Sequence, residues 1–330
     1  MVTRASGSPA EAPAGTPRDR LRREGVRLHW WVKAHGYLDR AGGAESCTLL
    51  VGSARSGTTW LGEMLDRHHN HRVIFEPFKP GVIGELLPFD TLRYLPPACD
   101  DAVFLDPVQR LLTGKFRNGW TDHTNRALLP RRRLVKEVRV NCLAPWLAAH
   151  FPRSPIVLMV RHPLAVVASR QQLGWTTALQ RFAEDAALRE LLSPAQELLL
   201  QSPRDLFEAA VTQWALESWI PLQGLREDQV RVVLYEELAI RPREIGDSVL
   251  RWVGQQPDHE FEHAVSRPSR TSRPGAGSTS AAEGGPGPFD RRQRDRARRI
   301  LEAFALDTIY DVESGHPRRE ALARWGHRVI

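Results

Sequence analysis

Residues 49–60 read LLVGSARSGTTW, and this stretch decides the fold of the chain. An apolar run of strand length ends in small residues, which lead into a segment with apolar side chains at helical spacing. A strand, a tight turn and a helix start in this order point backbone N–H groups and the positive end of the helix dipole at an anion. The stretch therefore predicts a phosphate-binding loop, with a plain turn between strand and helix as the alternative.

The same loop lacks the residues that bind a magnesium nucleotide. Gly52 and Gly57 have the spacing of the nucleotide-binding loop of kinases and ATPases, but Thr58 stands where that loop has its lysine. Arg55, inside the loop, is the nearby cation. An apolar strand predicted further along the chain ends in Arg161, where a magnesium-binding aspartate would be expected. A divergent kinase-like nucleotide-binding protein is the alternative function.

Short apolar strands alternate with helical stretches along the chain, which predicts a single α/β domain with a central parallel sheet flanked by helices. We expect strands at residues 47–51, 73–75, 134–140, 155–160 and 230–234. Residues 1–18 are expected to form a flexible tail before a domain that spans 19–330. Within this domain, 77–133 is typical of an irregular insertion, and 266–289, rich in Ser, Arg, Gly and Pro, is typical of a mobile loop.

The composition of the 330 residues, with 42% hydrophobic and 26% charged, is that of a globular protein and excludes a disordered chain. The longest apolar runs are far shorter than the roughly 20 residues of a membrane-spanning helix. The N-terminal residues lack the apolar segment of a signal peptide. We therefore expect a cytoplasmic protein whose cysteines, Cys47, Cys99 and Cys142, are free thiols.

The net charge of +7 comes from 46 basic and 39 acidic residues, and only four of the basic residues are lysine. Arginine is the better fork for phosphate and sulfate oxygens. A basic balance permits an anionic ligand, a nucleic acid or an acidic membrane, but the arginines form no nucleic-acid-binding module, so no nucleic-acid partner is expected. Residues 20–40 combine basic side chains with Trp30 and Trp31 in a helical stretch that either packs on the domain or contacts a membrane surface.

Three motifs together resemble one enzyme family. The loop SARSGTTW at 53–60 resembles the 5′-phosphosulfate loop of the sulfotransferases that use 3′-phosphoadenosine-5′-phosphosulfate (PAPS). Residues 161–169, RHPLAVVAS, match the 3′-phosphate motif of that family, in which an arginine ends a strand and a serine follows on the next helix. Residues 234–238, LYEEL, resemble its turn from a later strand into a helix. The arginine in the loop is more similar to the carbohydrate and tyrosyl-protein branches than to the small-phenol branch.

The resemblance implies a P-loop-like sulfotransferase fold and the transfer of a sulfuryl group from PAPS to an acceptor, without a metal. It implies that loop amides hold the 5′-phosphate and that Arg161 and Ser169 hold the 3′-phosphate. Arg55 would face the sulfuryl group and the bridging oxygen, and Trp60 would stack on adenine or belong to the core. The donor-binding residues implied in this way are Arg55, Ser56, Gly57, Thr58, Thr59, Trp60, Arg161, Ser169 and Tyr235.

An alcohol acceptor also needs a general base, because it attacks poorly while it keeps its proton. The small-phenol branch has Lys-x-His on a strand. Here Lys136 is kept and would assist at the sulfuryl group, but Val138 stands in the place of the histidine. Because side chains alternate along a strand, Glu137 is expected on the opposite face. Glu76, at the end of a predicted strand, matches the catalytic glutamate of the carbohydrate and tyrosyl-protein branches. We assign the base to Glu76, with a surface glutamate or a salt bridge to Arg72 as the alternative.

The resemblance also bears on the partners. It implies a hydroxyl acceptor, and the broken Lys-x-His element favours a sugar, a glycoconjugate or a small natural product over a simple phenol. Residues 77–133 would form much of the acceptor pocket. His68, His69 and His71 fit no zinc spacing and are expected at a solvated helix end, so no metal site is predicted. The basic closing loop of the family matches 266–289 poorly, so no residue there is assigned.

Overall fold

The computed structural model describes residues 17–89, 94–265 and 288–328. The tail predicted for 1–18 lies outside these ranges except for its last two residues, which already begin a helix. The loop predicted for 266–289 also lies outside them except for Pro288 and Phe289.

The described strands form one parallel sheet. They are β1 Cys47–Gly52, β2 His71–Phe75, β3 Arg132–Glu137, β4 Ile156–Val160 and β5 Val230–Leu234. Their order in the sheet is β2-β3-β1-β4-β5, so the central strand β1 pairs with β3 on one side and β4 on the other. After the central strand β1, the chain forms the edge strand β2, returns to β3 beside β1, and then crosses to β4 and β5 on the other side. The predicted α/β fold with a single parallel sheet is confirmed.

Helices connect the strands and cover both faces. They are α1 Pro17–His35, α2 Thr58–Leu65, α3 Ala102–Leu112, α4 Gly119–Asp122, α5 Ala144–His150, α6 Pro163–Gln172, α7 Leu179–Glu184, α8 Ala186–Arg189, α9 Pro194–Gln201, α10 Leu206–Gly224, α11 Tyr235–Ile240, α12 Pro242–Trp252, α13 His259–Val265 and α14 Arg291–Ala303. In the described ranges, no helix is both long and apolar enough to cross a membrane.

The apolar strands are buried on both faces, as is typical of a parallel sheet. Leu49 and Val51 of β1 enter a large core with α5, α6 and α10, and Leu50 enters a smaller core with α2 and α12. The helix α10 lies in the large core along most of its length, with Trp214 fully buried. The loop after β1 is thus fixed between two packed layers.

Two sequence-based expectations are wrong. The strand expected over 134–140 ends at Glu137, because the Glu137 carboxylate accepts the N–H groups of Val138 and Arg139 at 2.8 and 3.1 Å and turns the chain out of the sheet. His71 belongs to β2 and not to a solvated helix end. Its side chain is buried, with Nδ1 lying 3.3 Å from an Asp66 carboxylate oxygen.

Candidate active site

The carboxyl ends of the five strands bring the predicted site residues to one edge of the sheet. The loop at 53–57 follows β1 in the centre, Lys136 lies at the end of β3, and Glu76 follows β2. On the other side, Arg161 follows β4 and Tyr235 follows β5. Because neighbouring strands lie about 4.8 Å apart, this row is about 19 Å long. Open parallel sheets bind their ligands at this edge.

The loop itself has the backbone of an anion site. Gly57, the residue before α2, has a φ of 97°. The first N–H groups of an α-helix have no partner within the helix. Because Gly57 has no side chain to cap them, those of α2 stay available to a ligand. Ser56 N donates to the Ser53 carbonyl at 2.9 Å, which closes the turn. Thr58 and Thr59 form the first turn of α2. These predicted residues therefore form one continuous turn at the edge of the sheet.

A buried polar network braces the loop from below, and sequence reasoning missed it. Arg170 of α6 donates to the Ala54 carbonyl at 3.2 Å, to Ser53 Oγ at 2.8 Å and to the Glu217 carboxylate at 2.8 Å. Glu217 of α10 also accepts from Ser53 and from Gln213, the latter at 2.7 Å. Nothing in the spacing of these residues along the chain shows that they meet.

The loop at 53–60 and the segment 161–169 contact each other. Arg55 Nε donates to Ser169 Oγ at 3.0 Å, and Arg161 Nη1 donates to the Arg55 carbonyl at 3.2 Å. The Arg161 guanidinium lies over the Tyr235 ring, 4.3 Å from its centroid. Tyr235 in turn packs against Trp60, with ring centroids 5.2 Å apart. The arrangement joins the loop after β1 to the turns after β4 and β5.

Two buried polar atoms in this cluster have no hydrogen-bond partner within the described part of the chain. They are Ser56 Oγ in the loop and Arg161 Nε beside it. Both can donate, and a buried donor without a partner carries a desolvation penalty of about 1–3 kcal/mol. A phosphate or sulfate oxygen would satisfy such donors, so the residues present fit an anionic group.

The carboxylate of Glu76 is held by two cations. Lys136 Nζ donates to Oε1 and Arg139 Nη1 donates to Oε2, both at 2.6 Å. Burial opposes the charged form of Glu76, but Lys136 and Arg139 outweigh this effect and lower the pKa of the carboxyl below its ordinary value. Glu76 is therefore ionised at neutral pH. The alternative partner, Arg72, is instead paired with Asp122 at 2.8 Å.

Glu137 is buried under the turn after β3 and does not line the large cavity. Its side chain is fully buried and accepts the Phe78 N–H at 2.9 Å as well as those of Val138 and Arg139. Burial raises the pKa of its carboxyl, with Arg139 acting in the opposite direction and Glu76 in the same direction. Glu137 has a structural role in the turn after β3.

Arg139 is a site residue that sequence reasoning missed. Its strand alternation would place it on the face of Glu137, but the alternation no longer applies because β3 ends at Glu137. The side chain instead reaches Glu76 on the neighbouring strand end. The sequence carries no signal for this contact, because it depends on the early end of β3.

A cavity of about 670 Å³ opens beside α2. Thr59 and Trp60 of the first turn of α2 meet Phe75 and Lys136 in its wall, and α13 lines another side. Trp60 is largely buried in the smaller core, so only part of its ring faces the cavity. From the segment 77–133, Thr124 and Arg126 contribute to this wall. Most of a second cavity, of about 220 Å³, is lined by residues between 78 and 89.

Metal ligands do not gather in the described ranges. No group of three or more His, Cys, Asp or Glu side chains there is placed to hold an ion. His68 instead faces Asp258, with Nε2 lying 3.0 Å from a carboxylate oxygen.

Comparison with known proteins adds to this geometry. Nodulation protein NoeE of Sinorhizobium fredii is 25% identical over 218 residues, which are 63% of this chain and 50% of that protein. The chain thus spans about half the length of this curated relative. Among solved structures, the sulfotransferase domain from the curacin biosynthetic pathway is 17% identical, with 82% of this chain and 98% of that chain covered and a TM-score of 0.44.

A sulfotransferase from Alicyclobacillus acidocaldarius is a second similar structure, 20% identical, with 79% of this chain and 92% of that chain covered and a TM-score of 0.39. The profile described as "Sulfotransferase family" matches residues 48–259, a range that contains the loop after β1 and every other candidate site residue. That match extends over more than half of the chain, and the chain belongs to the sulfotransferase family.

Proposed function

We propose that this protein transfers a sulfuryl group from PAPS to a hydroxyl acceptor. The observation that carries the proposal is the row of strand ends. The loop after β1 lies in its centre, Arg161 lies on one side, and Glu76, paired with Lys136, lies on the other; this arrangement supports an anionic donor on one side and a base on the other. Family membership supports the reaction class, and PAPS supplies the sulfuryl group when it is bound.

The donor would lie across the loop and the β4 side of the row. The N–H groups of the first turn of α2, together with Ser56 Oγ, would hold the 5′-phosphate. Arg161 and Ser169 would hold the 3′-phosphate, since the Ser169 hydroxyl keeps its own proton to donate while it accepts from Arg55. Trp60 and Tyr235, which lie against each other, would border the adenosine.

Glu76 would act as the general base on the other side of the loop. Its carboxylate accepts the proton of the acceptor hydroxyl while the acceptor oxygen bonds to sulfur and the bond from sulfur to the phosphate oxygen breaks. Arg55 and Lys136 would stabilise the charge that grows on the sulfuryl group and the leaving oxygen. Such a transfer needs alignment and charge stabilisation more than covalent work by the protein.

We propose a sugar, a glycoconjugate or a small natural product as the acceptor. Val138, where the phenol-using branch has histidine, is buried and apolar, so it offers no base to a phenol. The cavity beside Lys136 carries charged and polar groups, among them Arg126 and Glu63, which suit a hydroxyl-rich molecule. On this basis, glycosides are expected to be better acceptors than simple phenols.

Calorimetry and turnover test the proposal together. Adenosine 3′,5′-bisphosphate should bind in the micromolar range without added metal, and ATP with magnesium should bind more weakly. With PAPS as donor, turnover should be higher on neutral glycosides than on phenols. Glu76→Gln should lower turnover about 10²–10⁴-fold with nearly unchanged bisphosphate affinity. Preferential binding of ATP with magnesium and phosphoryl transfer would favour the kinase-like alternative.

We place the protein in the cytoplasm on the chemistry of its cysteines. Cys47, Cys99 and Cys142 are all free thiols. Burial raises the pKa of Cys47 to about 12, and the pKa of Cys142 is raised for the same reason, so both thiols stay protonated and unreactive. Free thiols of this kind are typical of a reducing compartment.

The middle of helix α1 is exposed. Every residue from 24 to 32 is exposed, including Leu28 at 62%, Trp31 at 59% and Val32 at 49%. Only towards its end does the helix pack on the domain, where Trp30 lies against Gly119 of α4. Most of the described helix therefore differs from the expectation of a helix packed on the domain.

We propose that this helix contacts an anionic membrane surface. Its sequence has six basic and two acidic residues. Leu38 and Leu128, which are joined by a backbone hydrogen bond of 2.9 Å, are exposed close to its end, as is Leu129. Exposed tryptophan and leucine beside arginine are the groups that insert at a lipid interface and meet its negative charge.

A further inference from the structure

The Glu76 carboxylate has one oxygen for each of two different cations. Lys136 reaches Oε1 and Arg139 reaches Oε2, and both side chains come from the end of β3. The backbone of Glu76 is fixed as well, because its N–H donates to the Lys136 carbonyl at 2.8 Å and its φ is 43°. A single salt bridge would be enough to neutralise the carboxylate, so the second cation calls for a reason.

The two cations differ in what surrounds them. The Lys136 side chain is 6% exposed, lines the large cavity and lies over the Phe75 ring, with Nζ 4.6 Å from the centroid. Arg139 is 28% exposed and is not part of the cavity wall. Its Nη1 also lies 3.5 Å from Oε1 of Glu137. Lys136 therefore faces the cavity, whereas Arg139, like the Glu76 carboxylate that it binds, is not part of the cavity wall.

Glu137 fixes Arg139 in this position. The Glu137 carboxylate is fully buried and is tied to three backbone N–H groups, those of Phe78, Val138 and Arg139. It cannot move without breaking the turn after β3. Its negative charge therefore holds the guanidinium at a fixed point beside Glu76.

We propose that Arg139 is the positioning residue of the general base, holding Glu76 through Oε2 so that Oε1 faces the acceptor while Lys136 turns to the sulfuryl group. The inference rests on the proposed function, in which Glu76 takes the acceptor proton. It assigns the two cations separate tasks. Arg139 acts only through Glu76, and Lys136 leaves Glu76 for the reacting group.

The chemistry of the two side chains suits these tasks. A guanidinium is a planar fork that is always charged and keeps its direction, whereas an ammonium is a point charge on a flexible stem. The charged groups that face Glu76 in the described ranges are Lys136, Arg139 and Glu137, while Lys79 of the next turn lies over Trp120. Loss of the Arg139 charge leaves burial and Glu137 to favour the protonated carboxyl, so the pKa of Glu76 rises.

Arg139→Ala and Arg139→Lys test the inference, with Arg153→Ala as the control because Arg153 is an exposed arginine far from the site. The readout is the pH dependence of kcat/KM with PAPS and a neutral glycoside, which has no titrating group of its own. Arg139→Ala should lose about 10- to 100-fold in kcat at neutral pH, because the base is no longer oriented. The acidic side of its curve of kcat/KM against pH should also move to higher pH, because the pKa of Glu76 rises. Arg139→Lys keeps the positive charge, so the acidic side of its pH curve should lie where it does in the wild type. Its kcat should be higher than that of Arg139→Ala but lower than that of the wild type.

Bisphosphate affinity and thermal unfolding of each variant show that the fold and the donor site are intact. An acidic side of the pH curve that stays in place in Arg139→Ala, with kcat close to that of Arg153→Ala, would overturn the role of Arg139 while Glu76→Gln is still inactive. Full activity of Glu76→Gln would instead overturn the proposed base itself. A loss of bisphosphate affinity in Arg139→Ala would show that Arg139 contacts the donor and is not a positioning residue.

Discussion

Two residues of the candidate site have strained backbones. Four non-glycine residues in the described ranges have positive φ, and two of them are Arg55 at 77° and Glu76 at 43°. Such conformations cost about 1–3 kcal/mol each and persist only where the surroundings hold them. The surroundings here are hydrogen bonds, from Arg161 to the Arg55 carbonyl and from Glu76 N to the Lys136 carbonyl. The positive φ angles of Arg55 and Glu76 thus fall on two residues that the sequence pattern assigns to the site.

Arg161 provides the first prediction at this scale. Arg161→Ala removes a charge-assisted contact to the 3′-phosphate and should weaken binding of adenosine 3′,5′-bisphosphate by about 1.5–3 kcal/mol, measured by calorimetry. Arg251→Ala, at an exposed position on α12, is the matched control and should bind as the wild type does. Adenosine 5′-phosphate, which lacks the 3′-phosphate, should bind the wild type and Arg161→Ala alike. Equal wild-type affinity for the two nucleotides would contradict the assignment of Arg161 and Ser169.

The sequence predicts individual residues well where a regular element carries them. Arg55 and Arg161 follow apolar strands directly, so their place at the edge of the sheet can be read from the pattern. Arg139 could not be predicted, because its contact depends on where β3 ends, and a buried carboxylate of the same strand decides that end. Arg170 could not be predicted either, since its partners are distant in the chain.

At the level of the secondary-structure elements, each parallel strand ends at one turn of the candidate site. The alternation of strands and helices was enough to predict the sheet, because a parallel sheet brings all strand ends to one edge. The segment from 77 to 133 has no such periodicity, and its helices α3 and α4 are short. Their positions depend on contacts with α1, β2 and the core, which no local pattern encodes.

Gly57 provides the prediction for the strand–loop–helix unit. An added Cβ would lie 2.5 Å from Tyr235 Cδ2, and the φ of 97° disfavours any other residue. Gly57→Ala should therefore distort the loop, lower bisphosphate affinity at least about 10-fold and lower the free energy of unfolding by about 1–3 kcal/mol. Calorimetry and urea unfolding measure the two effects.

Two further variants separate the causes at Gly57. Gly84→Ala, where an added Cβ meets no atom within 4 Å, should leave both quantities unchanged. Combining Gly57→Ala with Tyr235→Ala removes the steric contact but keeps the backbone strain, so unfolding should stay destabilised by the cost of the positive φ. Wild-type bisphosphate affinity in Gly57→Ala would show that the loop does not need its left-handed residue.

The arginines of the described ranges occur in two different surroundings. At the edge of the sheet, arginines are fixed by carboxylates and carbonyls, as Arg170 is by Glu217. On α1, basic residues lie on a helix that is exposed from residue 24 to residue 32. Paired cations are held at fixed positions, whereas the exposed cations of α1 are free to meet the negative charge of the membrane surface that we propose for this helix.

Vesicle binding by the 330-residue chain tests the proposed membrane contact of α1. The protein should sediment with vesicles of phosphatidylserine and phosphatidylcholine but not with phosphatidylcholine alone, and added salt should weaken the binding because it screens exposed charges. Replacing Leu28 and Trp31 together by serine should abolish sedimentation and leave turnover on a soluble glycoside unchanged. Replacing Leu198 and Leu206, which are exposed to a similar degree elsewhere, should leave sedimentation unchanged. If the Leu28 and Trp31 variant still sediments, the contact lies elsewhere. If that variant instead abolishes a dimer seen without vesicles, the exposed helix binds a second copy of the chain and not lipid.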